Sequence, residues 1–97
     1  MNRDFAKKLI DEELNALRKL SYAEWLLRIG QVSARSVFGP DSSKEYHVET
    51  EAFWDSKKNG NIRVLVLVNG GGLSDFVPLS GDFIISPDGA FVGEGSN

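Results

Sequence analysis

Apolar residues recur at helical spacing over the first twenty positions and at alternating spacing beyond Gly30. At about 100° per residue, Phe5, Ala6, Leu9, Ile10, Leu14, Ala16, Leu17 and Leu20 share one half of a helical wheel, while Asp4, Lys7, Lys8, Asp11, Glu12, Asn15, Arg18 and Lys19 fill the other. So wide an apolar arc predicts a helix seated in a groove or on a curved sheet. Glu13 falls inside that arc, where an unpaired carboxylate is costly, so its side chain is expected either to reach the rim or to pair with a core-edge arginine such as Arg35 or Arg63. Ser21 and Glu24 have the spacing of a capping box, with Leu20 and Trp25 placed as a hydrophobic staple. A short second helix is therefore expected over 22–29, burying Tyr22, Trp25, Leu26 and Ile29 and ending at Gly30, which suits left-handed geometry.

After Gly30, alternation is punctuated by turn signals at Gly39-Pro40-Asp41, Lys58-Asn59-Gly60, Asn69-Gly70-Gly71-Gly72, Ser80-Gly81-Asp82 and Ser86-Pro87-Asp88-Gly89. These predict strands at 32–38, 44–54, 62–69 and 73–79, then a hairpin with arms at 83–86 and 90–92. Pro78 has no amide hydrogen for a ladder, so the fourth strand should be an edge or end there, leaving 62–68 interior. The fold class is α+β: two N-terminal helices on one face of a twisted antiparallel meander of four strands plus a C-terminal hairpin. A single domain is expected over 1–94, with a loose tail at 95–97.

The two central strands differ in a way that bears on function. In the second, Tyr46, Val48, Thr50, Ala52 and Trp54 form one row, facing the helices, and Glu45, His47, Glu49, Glu51 and Phe53 form the other. In the third, Ile62, Val64, Val66 and Val68 oppose a row of Arg63, Leu65, Leu67 and Asn69, so neither face is polar throughout. Two short helices can cover only one side of such a sheet. The outer row needs a second cover, supplied either by the 83–92 hairpin curling over a twisted sheet or by a second molecule.

Composition narrows the chemistry. Without cysteine there is neither a disulfide framework nor a thiolate metal site. Eleven basic against fourteen acidic side chains give a net charge of −3, the wrong sign for a phosphate backbone, so nucleic acid is not an expected partner. The opening residues lack the apolar run of a secretion signal and no stretch reaches membrane-spanning length; a cytoplasmic setting away from the membrane is expected. His47, Glu49 and Glu51 stand about 7 Å apart in succession on one face, but flat strands splay such groups, so no metal or other cofactor is expected. A cross-strand ion pair with Arg63 is the simplest role for the glutamates. The glycines at 70–72 precede a strand-like run and read as a hairpin turn, not a phosphate cradle.

Two helices followed by Tyr46-His47-Val48-Glu49-Thr50-Glu51-Ala52-Phe53-Trp54-Asp55, then Asp82-Phe83-Ile84-Ile85 and Pro87-Asp88-Gly89-Ala90-Phe91-Val92-Gly93-Glu94, resemble small bacterial domains to which no activity is attached. The resemblance implies a bacterial, cytoplasmic setting and assigns no functional residues. The helix-then-meander order is also similar in shape to cystatin-type folds. With no catalytic motif in view, the expected function is a non-enzymatic interaction module. It would bind itself or another protein through Glu49, Glu51, Phe53, Arg63, Leu65 and Leu67. Two alternatives remain open: a small-ligand binder or enzyme with a helix–sheet pocket using Glu13, Tyr22 and Trp25, and an acidic immunity-type protein that masks a basic partner.

Overall fold

A computed structural model describes residues 3–40, 44–70 and 78–94 of the chain. Helix α1 (Arg3–Leu17) and helix α2 (Tyr22–Leu26) precede strands β1 (Val32–Phe38), β2 (Glu45–Trp54), β3 (Ile62–Gly70) and β4 (Leu79–Ile85). The strands form one antiparallel sheet in the order β1-β2-β3-β4, so β2 and β3 are interior, as the double apolar row of β3 requires. The α+β class and the helices-then-meander order are thus those read from the sequence.

α1 buries Ala6, Leu9, Ile10 and Leu14 against β3 and β4. Together with Trp25 and the inward rows of β2, β3 and β4 they make one core, in which Ile62, Val64, Val66 and Val68 are fully enclosed. Full burial of each of these side chains stabilises the fold by about 1.5–3 kcal/mol relative to exposure. The expected cap is present: Ser21 Oγ accepts the Glu24 amide at 3.1 Å and the Glu24 carboxylate accepts the Ser21 amide at 3.3 Å. Gly30 takes the left-handed conformation with φ of +82°. Two residues depart from the wheel. Ala16 is exposed, and Leu26 is 42 % exposed, because α2 ends there and the chain turns through Leu27 and Arg28 toward β1.

The larger corrections lie after β3. Asn69 pairs with His47 as the strand expected at 62–69 requires, but Gly70, expected in the turn, extends β3 by one residue opposite Tyr46; the rest of that expected turn, 71–72, lies outside the described residues. The strand expected at 73–79 lies outside the described residues over 73–77, and the partner of β3 starts at Leu79, directly after Pro78. Ser80-Gly81-Asp82, which reads as a turn, is the middle of β4. The reason is packing: a Cβ on Gly81 would stand 2.6 Å from Ile10 Cγ2 and 2.9 Å from Leu14 Cδ1, so the glycine lets α1 lie close on the sheet.

The C-terminal hairpin forms where the turn residues place it. Gly89 N–H donates to Ser86 O at 2.8 Å, Ser86 N–H to Ala90 O at 2.9 Å, and Gly89 has φ of +89°. The second arm bridges Ile85 with Phe91, and Val92 N–H donates to Ile84 O at 2.8 Å. Residues opposite one another share a face, and Ile85 is in the core, so Phe91 turns to the helix side. There it meets Phe83 edge-on at 5.4 Å. The Arg18 guanidinium lies 5.1 Å and 5.5 Å from the two ring centres, and its Nη2 donates to Glu94 at 2.6 Å. The hairpin therefore closes the core and does not shield Leu65 and Leu67 on the opposite face.

Candidate functional site

The register of the sheet assembles the outer face row by row. Val32, Glu51, Leu65 and Asp82 lie abreast, followed by Ala34, Glu49, Leu67 and Ser80; at the other end Phe53, Arg63 and Ile84 align. Phe53, Leu65, Leu67 and Ile84 thus share the outer face across β2, β3 and β4, with Arg63 between Phe53 and Ile84; each is partly exposed, while Glu49 and Glu51 beside the leucines are exposed. All six residues assigned to this face by the sequence are brought together on it. Ile84 belongs with them and was hidden in the sequence by its place in a hairpin arm.

The charge pairing on this face differs from the expected one. Arg63 does not pair with Glu49 or Glu51, because it stands opposite Phe53 and reaches instead to Asp55, just past the end of β2, and to Asp82 in the middle of β4. Its Nε donates to Asp55 Oδ1 at 3.0 Å, its Nη2 lies 2.9 Å from the same oxygen, and its Nη1 donates to Asp82. The Asp55 hydrogen bond, with Asp82 on the other side, raises the Arg63 pKa above its ordinary value. With Arg63 neutralised from both sides, Glu49 and Glu51 have no ion-pair partner among the described residues. His47 shares a 3.2 Å hydrogen bond with Ser36 Oγ and stands 4.0 Å from Glu45. No three histidine, aspartate or glutamate side chains gather to hold a metal among the described residues. The net result is an apolar band edged by unneutralised carboxylates.

The residues of the expected helix–sheet pocket have other occupations. Glu13 accepts from Arg35 Nη2 at 2.8 Å at the sheet rim, the pairing its place on the wheel calls for. Tyr22 Oη donates to Gly60 O at 2.7 Å, tying α2 to the β2–β3 loop. Trp25 is 2 % exposed and lines a cavity of about 70 Å³ with Leu17, Thr50 and Ala52; Glu13 and Tyr22 do not line it. Its buried Nε1–H has no partner among the described residues. Such a cavity has room for water and is well below the roughly 300–1,000 Å³ of metabolite pockets. A larger groove of about 570 Å³ runs between α1 and β4 over Ile10, Leu14 and Gly81, and its rim mixes Arg3 and Lys7 with Asp4, Asp11 and Asp82.

Among the described residues, no helix is long and apolar enough to cross a membrane. No protein-family model matches the chain, and neither the curated proteins nor the solved structures contain a match.

Proposed function

We propose that the chain is a non-enzymatic interaction module, cytoplasmic in setting, that docks another protein on the outer face of its sheet. One observation carries this reading: the C-terminal hairpin turns Phe91 onto the helix side, so no described element lies over Phe53, Leu65, Leu67 and Ile84. Apolar area of this kind favours association, at about 25 cal/mol for each Å² removed from water. Charge selects the partner. Glu49 and Glu51 would be desolvated at the edge of the contact, so the partner must bring lysine or arginine to the rim of its own apolar patch.

The test is a paired comparison of the wild-type protein and the Leu65→Glu/Leu67→Glu variant as bait in native lysate, at low and high salt. The variant should keep its helical circular dichroism and a cooperative melt, lowered by several degrees because the new glutamates stand opposite Glu51 and Glu49, but lose the captured polypeptide, and capture by the wild type should weaken as salt rises. Collapse of the fold in the variant would make the leucines part of the core, and capture that survives the substitutions would place the interface elsewhere.

A further inference from the structure

The two edges of the sheet are finished differently. At β4 the edge opens on Pro78, carries Asp82, and is covered at its far end by the hairpin arm that bonds Ile84 and bridges Ile85. These are devices that keep sheet edges from pairing with other chains. No described arm pairs with β1, and its one charge, Arg35, lies on the helix side opposite Val48 and is neutralised there by Glu13. β1 holds no proline or glycine, and six of its seven residues are exposed, only Val37 being partly buried, because α1 lies over β3 and β4.

The backbone of β1 is open in register. Gly39 N–H donates to Lys44 O at 2.8 Å, which makes that pair a hydrogen-bonded one. Hydrogen-bonded and non-bonded pairs alternate along an antiparallel ladder, so Val37, Arg35 and Ser33 exchange bonds with β2. The N–H and C=O groups of Val32, Ala34, Ser36 and Phe38 then point away from the sheet, and no described residue receives them.

We infer that β1 pairs antiparallel with β1 of a second copy of this chain, about a two-fold axis at Arg35, joining the two sheets into one. Only registers that set even-numbered residues against even-numbered ones bring the outward groups together, and the register centred on Arg35 overlaps the whole strand. It sets Ala34 against Ser36, and Val32 of each copy against Phe38 of the other. Those two side chains, 59 % and 65 % exposed, are the large apolar ones that β1 leaves in water. The same register brings the two Arg35 side chains face to face, which like charge alone would oppose. Each guanidinium already holds its own Glu13 at 2.8 Å, so the axis carries two positive and two negative groups. A pair of short strands buries less than the roughly 1,200–2,000 Å² of tight complexes, so the dimer is weak, with a dissociation constant on the order of micromolar or above. The interface is separate from the outer apolar band and does not depend on it.

Sedimentation equilibrium from about 1 μM to about 1 mM tests this on four proteins: wild type, Ala34→Pro, Glu13→Gln and Leu65→Glu/Leu67→Glu. Ala34→Pro removes an outward amide and leaves the ladder to β2 intact, a position where proline is tolerated. Ser36→Pro does the same if the first variant loses its circular dichroism. The wild type should dimerise with rising concentration, and the proline variant should raise the dissociation constant at least about tenfold. Glu13→Gln should weaken the dimer without touching the edge, and the double leucine variant should associate like the wild type. A wild type that stays monomeric throughout, or a dimer that survives the proline, overturns the inference. Dissociation by the leucine variant alone would also overturn it, by moving self-association to the outer face.

Discussion

Val66 and Leu67 are neighbours on β3 that point to opposite faces, and truncating each to alanine should have very different consequences. Val66 is fully enclosed between α1 and the sheet. Val66→Ala deletes two buried methyl groups at about 0.8 kcal/mol each, and the cavity left behind raises the cost to about 2–3 kcal/mol. Leu67 loses more carbon in Leu67→Ala, yet it is partly exposed, flanked across the strands by Glu49 and Ser80, and water can enter the space it vacates. Its loss should cost less than about 1 kcal/mol. Urea unfolding at micromolar protein, extrapolated linearly, reads both values. The inward substitution should lower the melting temperature by roughly 8 °C or more, the outward one by only a few degrees. Equal costs at Val66 and Leu67 would refute the reasoning, since the outer leucine would then be as well packed as the core.

Two further perturbations address how the core and its closing hairpin are held. Gly81→Ala should push α1 off β4, because the new methyl meets the Ile10 branch at 2.6 Å; a loss of about 1–3 kcal/mol in urea unfolding is expected, with the α+β circular dichroism retained. In the hairpin turn, the Ser86 hydroxyl and the Ala90 amide donate to Asp88 and hold its pKa below the ordinary aspartate value. The sign follows from linkage: the turn's contribution is complete above the unfolded-state pKa and is lost as pH falls through the lowered folded value. Carboxyl ¹³C shifts against pH should place the Asp88 midpoint below that of a free aspartate, and Ser86→Ala should move it upward. A midpoint unchanged by that substitution would remove the hydroxyl as the chief cause.

Much of this fold is legible because its elements obey simple periods. The alternation of β2 is reproduced in its burial from Glu45 to Ala52, and Ser21 and Glu24 make the cap that their spacing announces. Glu13 found Arg35 because a carboxylate on an apolar arc has few affordable positions. What escaped the sequence depends on contacts between distant segments. Gly81 looks like a turn glycine until the helix above it is known. The Pro87-Asp88-Gly89 turn is evident, but the face taken by Phe91 is set by the register after the turn, so either side of the sheet was open to it. Arg18 sits on the polar half of the wheel, and only the folded hairpin shows its long side chain reaching across Phe83 and Phe91. The candidate site was legible as a face, since β3 is apolar on both sides, while the partners of Arg63 were not, since Asp55 and Asp82 come from a loop and an edge strand.

The central claim is that the outer apolar band is open in the isolated molecule. Methyl resonances of the dilute monomer, recorded with a soluble paramagnetic relaxation agent, measure this directly. Leu65, Leu67 and Ile84 should relax strongly, and Val64, Val66 and Ile85 should be protected. Protection of Leu65 and Leu67 equal to that of the inward valines would contradict the account, because the band would already be covered by the chain itself.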